Sequence, residues 1–106
     1  MGYDIHGWKT MWKEEIGYVG CNYAWQPNFK KYLGFDIKEL NGRVTKKNMD
    51  EMVVHMDKII EGLRNETESK NFMGSLSNST NEQMIEGFIS IRDGIADGRV
   101  RYFSVS

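Results

Sequence analysis

Asp4, His6 and Cys21 are the residues of this chain best suited to bond-making chemistry. Asp4 and His6 stand two apart, so on an extended strand they share a face. There the carboxylate could orient the imidazole, form half of a metal pair, or simply stand beside it as a second solvated group. Cys21 with His6 would make a nucleophile–base dyad if the fold brought them within hydrogen-bond reach. The sequence around Cys21 resembles no cysteine-hydrolase motif. Phosphate-binding glycine loops, the zinc-protease helix motif and the serine nucleophile elbow are also missing. One cysteine and two histidines permit neither an internal disulfide nor a multi-cysteine or histidine-rich metal site. No catalytic residue, metal or cofactor is assigned on these grounds.

Recognition chemistry is better represented. Of 13 aromatic residues, 9 fall within the first 35 positions, all three tryptophans among them. Tyr3, Trp8, Trp12, Tyr23 and Trp25 combine broad apolar faces with polar tips, which suits ligand stacking or a protein hot spot. His6, Asn22 and Asn28 place donors and acceptors among these rings, a mixture able to read a base or a sugar or to cap a neighbouring helix. Arg99 and Arg101 alternate near the C-terminus and could meet phosphates. Lys30-Lys31 and Arg43, Lys46 and Lys47 flank a turn, where a small phosphate-binding patch is conceivable and a solvated face is the ordinary reading. The rings could equally pack the N-terminal segment onto the rest of the domain.

The elements that must position these residues follow from periodicity. Residues 2–8 read as a strand and 16–20 as a second, weakened by Gly17 and Gly20. Pro27 at a first helical turn and Gly34 at a left-handed cap bound a short helix. Residues 36–40 add one more turn before Asn41-Gly42. Thr45 is expected to cap a long helix to Arg64, with Met49, Met52, Val53, Met56, Ile59, Ile60 and Leu63 on one stripe. His55 lies beside that stripe, in a structural or solvent-edge role. Residues 65–80 read as a long polar loop, with Phe72 docking on the core. Thr80 and Gln83 match a capping box opening a second long helix to Ala96, in which Gly87 and Gly94 would permit close packing. Residues 99–105 form a terminal strand whose natural partner is the N-terminal one. The expected class is α+β: two long helices packed on a small antiparallel sheet formed by the N- and C-terminal strands.

A chain of 106 residues corresponds to a single domain, 1–106, able to bury about two-thirds of its extended surface. With 14 basic and 15 acidic side chains the formal charge is −1, which argues against a strongly basic nucleic-acid binder and against an acidic nucleic-acid mimic, so nucleic acid is not an expected partner. No apolar run spans a bilayer and no signal peptide opens the chain, so a cytoplasmic location is expected and no membrane partner. Asn65-Glu66-Thr67 and Asn78-Ser79-Thr80 match a glycosylation pattern, read here as polar loop residues.

The order of short motifs resembles a family. Met1-Gly2-Tyr3-Asp4-Ile5 opens the chain, followed by Asn22-Tyr23, Tyr32-Leu33-Gly34, Leu40-Asn41-Gly42, an acidic amphipathic helix and a terminal Phe103-Ser104-Val105-Ser106. This resembles small, mostly uncharacterised proteins encoded by bacteriophages and prophages, over nearly the whole chain. Ala24-Trp25-Gln26 stands where the family has small polar residues. The resemblance implies a phage setting, in the host cytoplasm, and supplies no activity. The expected function is a non-enzymatic accessory protein that binds a host protein or a small ligand, a nucleotide among the options, through the aromatic N-terminal region. Interference with a host system would follow. The alternatives are a small enzyme using Asp4, His6 and Cys21, and a homo-oligomeric structural component associating through the Met-rich stripe.

Overall fold

The computed structural model of the chain describes residues 2–10, 13–65 and 81–106. Strands β1 (Gly2–Thr10) and β2 (Lys13–Asn22) lead through a 3-10 turn at Tyr23–Trp25 into helix α1 (Gln26–Leu33). A second 3-10 turn at Ile37–Leu40 precedes the two-residue strand β3 (Gly42–Arg43) and helix α2 (Met49–Asn65). Helix α3 (Asn81–Ala96) and strand β4 (Tyr102–Val105) complete the described fold. The loop expected at 65–80, with Phe72, and the Thr80 cap lie outside the described residues apart from Asn65, which ends α2.

The sheet is antiparallel in the order β2-β1-β4-β3, so the class is α+β as the periodicity implies. The terminal strands are neighbours, with Ile5 opposite Val105 and Trp8 opposite Tyr102. Asp4 and Ser106 extend that ladder by exchanging backbone hydrogen bonds at 2.9 and 3.0 Å. The strands depart from expectation: β1 and β2 run longer, to Thr10 and from Lys13 to Asn22, β4 is shorter at Tyr102–Val105, and β3 adds an unexpected edge through Gly42 opposite Phe103.

Alternation along β1 sorts the side chains. Tyr3, Ile5 and Gly7 face the helices, whereas Asp4, His6 and Trp8 face the other side, on which no helix of the described residues packs. Helix α3 lies directly on β1 and β2, and α2 packs against α3 and α1. Glycines set the first of these contacts. A Cβ on Gly87 would stand 2.5 Å from the Tyr18 carbonyl oxygen, and one on Gly94 would stand 2.9 Å from Ile16 Cγ2 of β2. Met56, Ile59, Leu63, Met84, Phe88, Ile91 and Ile95 fill the layer between helices and sheet.

Helix ends follow elementary capping. Gly34 closes α1 at φ 87°. At α2 the Thr45 carbonyl accepts from Met49 N–H at 2.9 Å, while Asn48 Oδ1 accepts the Thr45 N–H at 2.7 Å. This is the reciprocal half of a capping box around Thr45, and the regular helix runs from Met49. His55 sits half-buried against Phe35, edge to face at 5.2 Å, with Nε2 3.4 Å from Glu51.

Candidate functional site

Two surfaces gather polar and aromatic groups, and they meet at Tyr102. The first is the open face of the sheet. A bulge lets Gly7 pair with Gly17 and Trp8 with Glu15, leaving Ile16 as the extra residue. Ile16 thereby packs toward Gly94 on the helix side, and Glu15 emerges beside Trp8 on the open side. Glu15 Oε2 lies 2.6 Å from His6 Nδ1. The His6 ring stacks on Trp8 at 4.7 Å and tilts against Tyr18 at 4.9 Å. Trp8 Nε1–H donates to Ser104 Oγ at 3.0 Å, and Tyr18 O–H donates to Asp4 Oδ1 at 2.7 Å. That bond, with partial burial, pushes the Tyr18 phenol up to about 12, because the carboxylate holds its proton in place.

The second surface is a cleft of about 460 Å³ between the start of α2, the end of α3 and strands β3 and β4. Val44, Met49, Ile95 and Val100 give it an apolar lining, and Arg43, Lys46, Arg101, Thr45 and Tyr102 supply polar groups. Among the described residues none of these three cations pairs with a carboxylate. The Arg43 guanidinium instead lies 5.7 Å from the Tyr102 ring centre. An apolar bed with several unneutralised cations and one ring suits a ligand that is part planar and part anionic.

The residues singled out from the sequence divide among four environments. His6 and Trp8 come together on the open face, and Arg101 reaches the cleft. Tyr3 and Trp25 do not line a ligand surface: each is only 1% exposed, as strand alternation and the packing of Trp25 on Phe29 direct both rings into the core. Burial, and Asp36 nearby, raises the Tyr3 phenol. Asn22 and Asn28 make local bonds, the first accepting from Ala24 N–H at 2.8 Å and the second donating to the Tyr32 hydroxyl at 3.4 Å. Tyr23 is exposed at the surface with its ring edge-on to Tyr3. Arg99 is closed in an ion pair, its Nε 2.7 Å from Asp97 Oδ2. Trp12 lies outside the described residues.

Asp4, His6 and Cys21 do not converge. Asp4 is engaged by Tyr18 and His6 by Glu15, while Cys21 points into the core from the opposite face. Burial pushes the Cys21 thiol up to about 12, the wrong direction for a nucleophile. The groups sequence reasoning missed are Glu15, Tyr18 and Ser104 on the open face and Tyr102 in the cleft. Arg43 and Lys46 were visible as a basic run, but only the pairing of β3 with β4 carries them to Arg101.

Among the described residues, no three His, Cys, Asp or Glu side chains gather as a metal site, and no helix is long and apolar enough to cross a membrane. No family model matches the chain, and searches of curated proteins and of solved structures return no match. The chemistry of these two surfaces is therefore the basis on which function has to be argued.

Proposed function

We propose that this chain is a non-enzymatic accessory protein of bacteriophage type that holds a small phosphorylated, ring-bearing ligand in the cleft at Arg43, Lys46, Arg101 and Tyr102. The observation that carries the reading is three cations without carboxylate partners among the described residues, lining one cleft over an apolar bed. Two of the three come from the connection between Leu40 and α2, and the third from the approach to β4. The sheet register thus assembles them without any local sequence motif.

Charge-assisted hydrogen bonds from Arg and Lys to phosphate are roughly twice as strong as neutral ones, and the guanidinium fork adds orientation. Arg43 lies against the Tyr102 ring, which rises on the open face beside Trp8 and offers a planar group a stacking surface there. The described lining contains no carboxylate, imidazole or thiol to move a proton, which favours binding over turnover. In a host cytoplasm such a protein would act by withholding its ligand from a host system. The N-terminal aromatic region contributes through the open sheet face beside the cleft rather than through Tyr3 and Trp25.

Thermal shift across a panel of phosphorylated and unphosphorylated nucleosides and sugars tests this. A rise in melting temperature confined to phosphorylated, ring-bearing compounds, and lost in Arg101→Ala, is expected. No shift with any compound overturns the reading.

A further inference from the structure

Tyr102 belongs to both surfaces. It lines the cleft, and on β4 it stands in register with Trp8 on β1, so the two side chains rise on the same face of the sheet. From Trp8 the rings continue to His6 and on to Tyr18 on β2, at centroid separations of 4.7 and 4.9 Å. Tyr18, at the far end, is 45% exposed. We propose that cleft and open face form one continuous site for a short single-stranded oligonucleotide, its terminal phosphate in the cleft and its bases along this row of rings. The proposal rests on the reading of the cleft given above.

Size, charge and rigidity each point to this class of ligand. The path crosses two strand spacings, about 10 Å, and steps two residues along β1 from Trp8 to His6, about 7 Å more. Open four-stranded sheets that bind single strands stack two or three bases on rings of their open face. Here His6 lies between Trp8 and Tyr18 and its side chain is only 19% exposed, so Tyr102, Trp8 and Tyr18 are the platforms. Charge is graded along the path. Arg43, Lys46 and Arg101, without carboxylate partners among the described residues, lie at the Tyr102 end, whereas Asp4 and Glu15 stand at the other. A long polyanion would run its phosphates into those carboxylates, so the strand must be short. The remaining carboxylate lone pairs can accept from base N–H groups, the imino N–H of thymine included. The rings are also held before any ligand arrives, by the Tyr18–Asp4, His6–Glu15 and Trp8–Ser104 bonds. Binding therefore orders few side chains.

Calorimetric titration of the full chain with thymidine mono-, di-, tri- and hexanucleotides, each carrying one terminal phosphate, tests the proposal. The dinucleotide should bind about tenfold tighter than the mononucleotide, the trinucleotide at least as tightly as the dinucleotide, and the hexanucleotide should gain less than about threefold more. Tyr18→Ala should cost the trinucleotide part of its gain over the mononucleotide and leave the mononucleotide itself unchanged. Tyr18→Phe, which keeps the ring without the bond to Asp4, should retain the gain. Equal affinity along the series, with Tyr18→Ala neutral, overturns the extended site and leaves the cleft reading standing. A hexanucleotide binding far more tightly than the trinucleotide overturns the short-strand assignment. Failure of every member to bind overturns both.

Discussion

Arg99 and Arg101 stand two residues apart, and Asp97 holds only the first. Asp97 accepts from the Arg99 backbone N–H at 3.0 Å and from its side chain at 2.7 Å, which holds the Asp97 carboxyl below the usual carboxylate range. Arg101 lines the cleft with no carboxylate partner among the described residues. Two arginines indistinguishable by type and spacing are thus given different tasks by one turn, Asp97-Gly98.

That difference predicts a clean contrast. Arg101→Ala should weaken a phosphorylated ligand by about tenfold, the worth of one charge-assisted bond. Arg99→Ala should leave the affinity within about twofold, since an exposed ion pair contributes little. Calorimetric titration of both variants decides it. Equal losses would mean that general positive charge, rather than the cleft, draws the ligand.

The Tyr18–Asp4 bond makes a pH prediction whose sign can be worked out. Folded Tyr18 keeps its proton up to about 12, whereas an unfolded tyrosine loses it near 10. A group whose pKa is raised by folding contributes its full stability below the unfolded value and loses it as pH rises through the folded one. Stability should therefore be flat with respect to this group below about pH 10 and fall between about pH 10 and 12. Ultraviolet titration should show the Tyr18 phenol titrating late, beside the buried Tyr3, and Asp4→Asn should return the Tyr18 phenol alone toward 10 by removing the carboxylate that holds its proton.

Cys21 should behave as a core residue. Its side chain is fully buried and its thiol is pushed up to about 12 by that burial. A thiol reagent added to the native protein at pH 8 should react only as fast as the fold opens, and within seconds once denaturant is present. Rapid native labelling would restore Cys21 as a candidate nucleophile.

Gly87 should not tolerate a side chain, although a helix interior ordinarily favours alanine by about 1 kcal/mol. The added Cβ would sit 2.5 Å from the Tyr18 carbonyl oxygen, a backbone atom that cannot rotate away. Moving β2 to relieve the clash should cost about 1–3 kcal/mol, outweighing the propensity gain. Urea unfolding of Gly87→Ala should show a lower midpoint with an unchanged slope.

Much of the fold was legible because the signals were local. The stripe from Met49 to Leu63, Pro27 with Gly34, and the β-rich termini each follow from spacing alone, and the structure places them in α2, α1 and the β1–β4 pair. The site was legible only in fragments. Tyr3 and Tyr23 are the same residue type, yet strand alternation buries Tyr3 while Tyr23, in the 3-10 turn after β2, stays at the surface. Glu15 reaches the open face only through the bulge at Ile16, and a one-residue irregularity of that kind leaves no periodic trace. Arg43 meets Tyr102 through a two-residue strand too short to announce itself.

Asn41 holds that short strand in place. Its Nδ2 donates to the Val105 carbonyl at 3.2 Å and to the Lys38 carbonyl at 3.0 Å, while its Oδ1 accepts the Val105 N–H at 2.7 Å. The side chain thus serves both backbone groups of Val105 and continues the β3–β4 ladder one step beyond Gly42 opposite Phe103. Asn41→Ala leaves a part-buried donor and acceptor unpaired, at a cost of about 1–3 kcal/mol. Asn41→Asp keeps the acceptor for Val105 N–H but sets a carboxylate against two carbonyls, so it should destabilise as well. Because β3 carries Arg43 and β4 carries Tyr102, a looser ladder should also loosen the cleft. Urea unfolding and ligand titration of the same Asn41→Ala protein separate the two effects. Both stability and affinity should fall, whereas Arg101→Ala should lower affinity with the unfolding midpoint nearly unmoved. A fall in stability with unchanged affinity would show that the cleft does not depend on the register of β3.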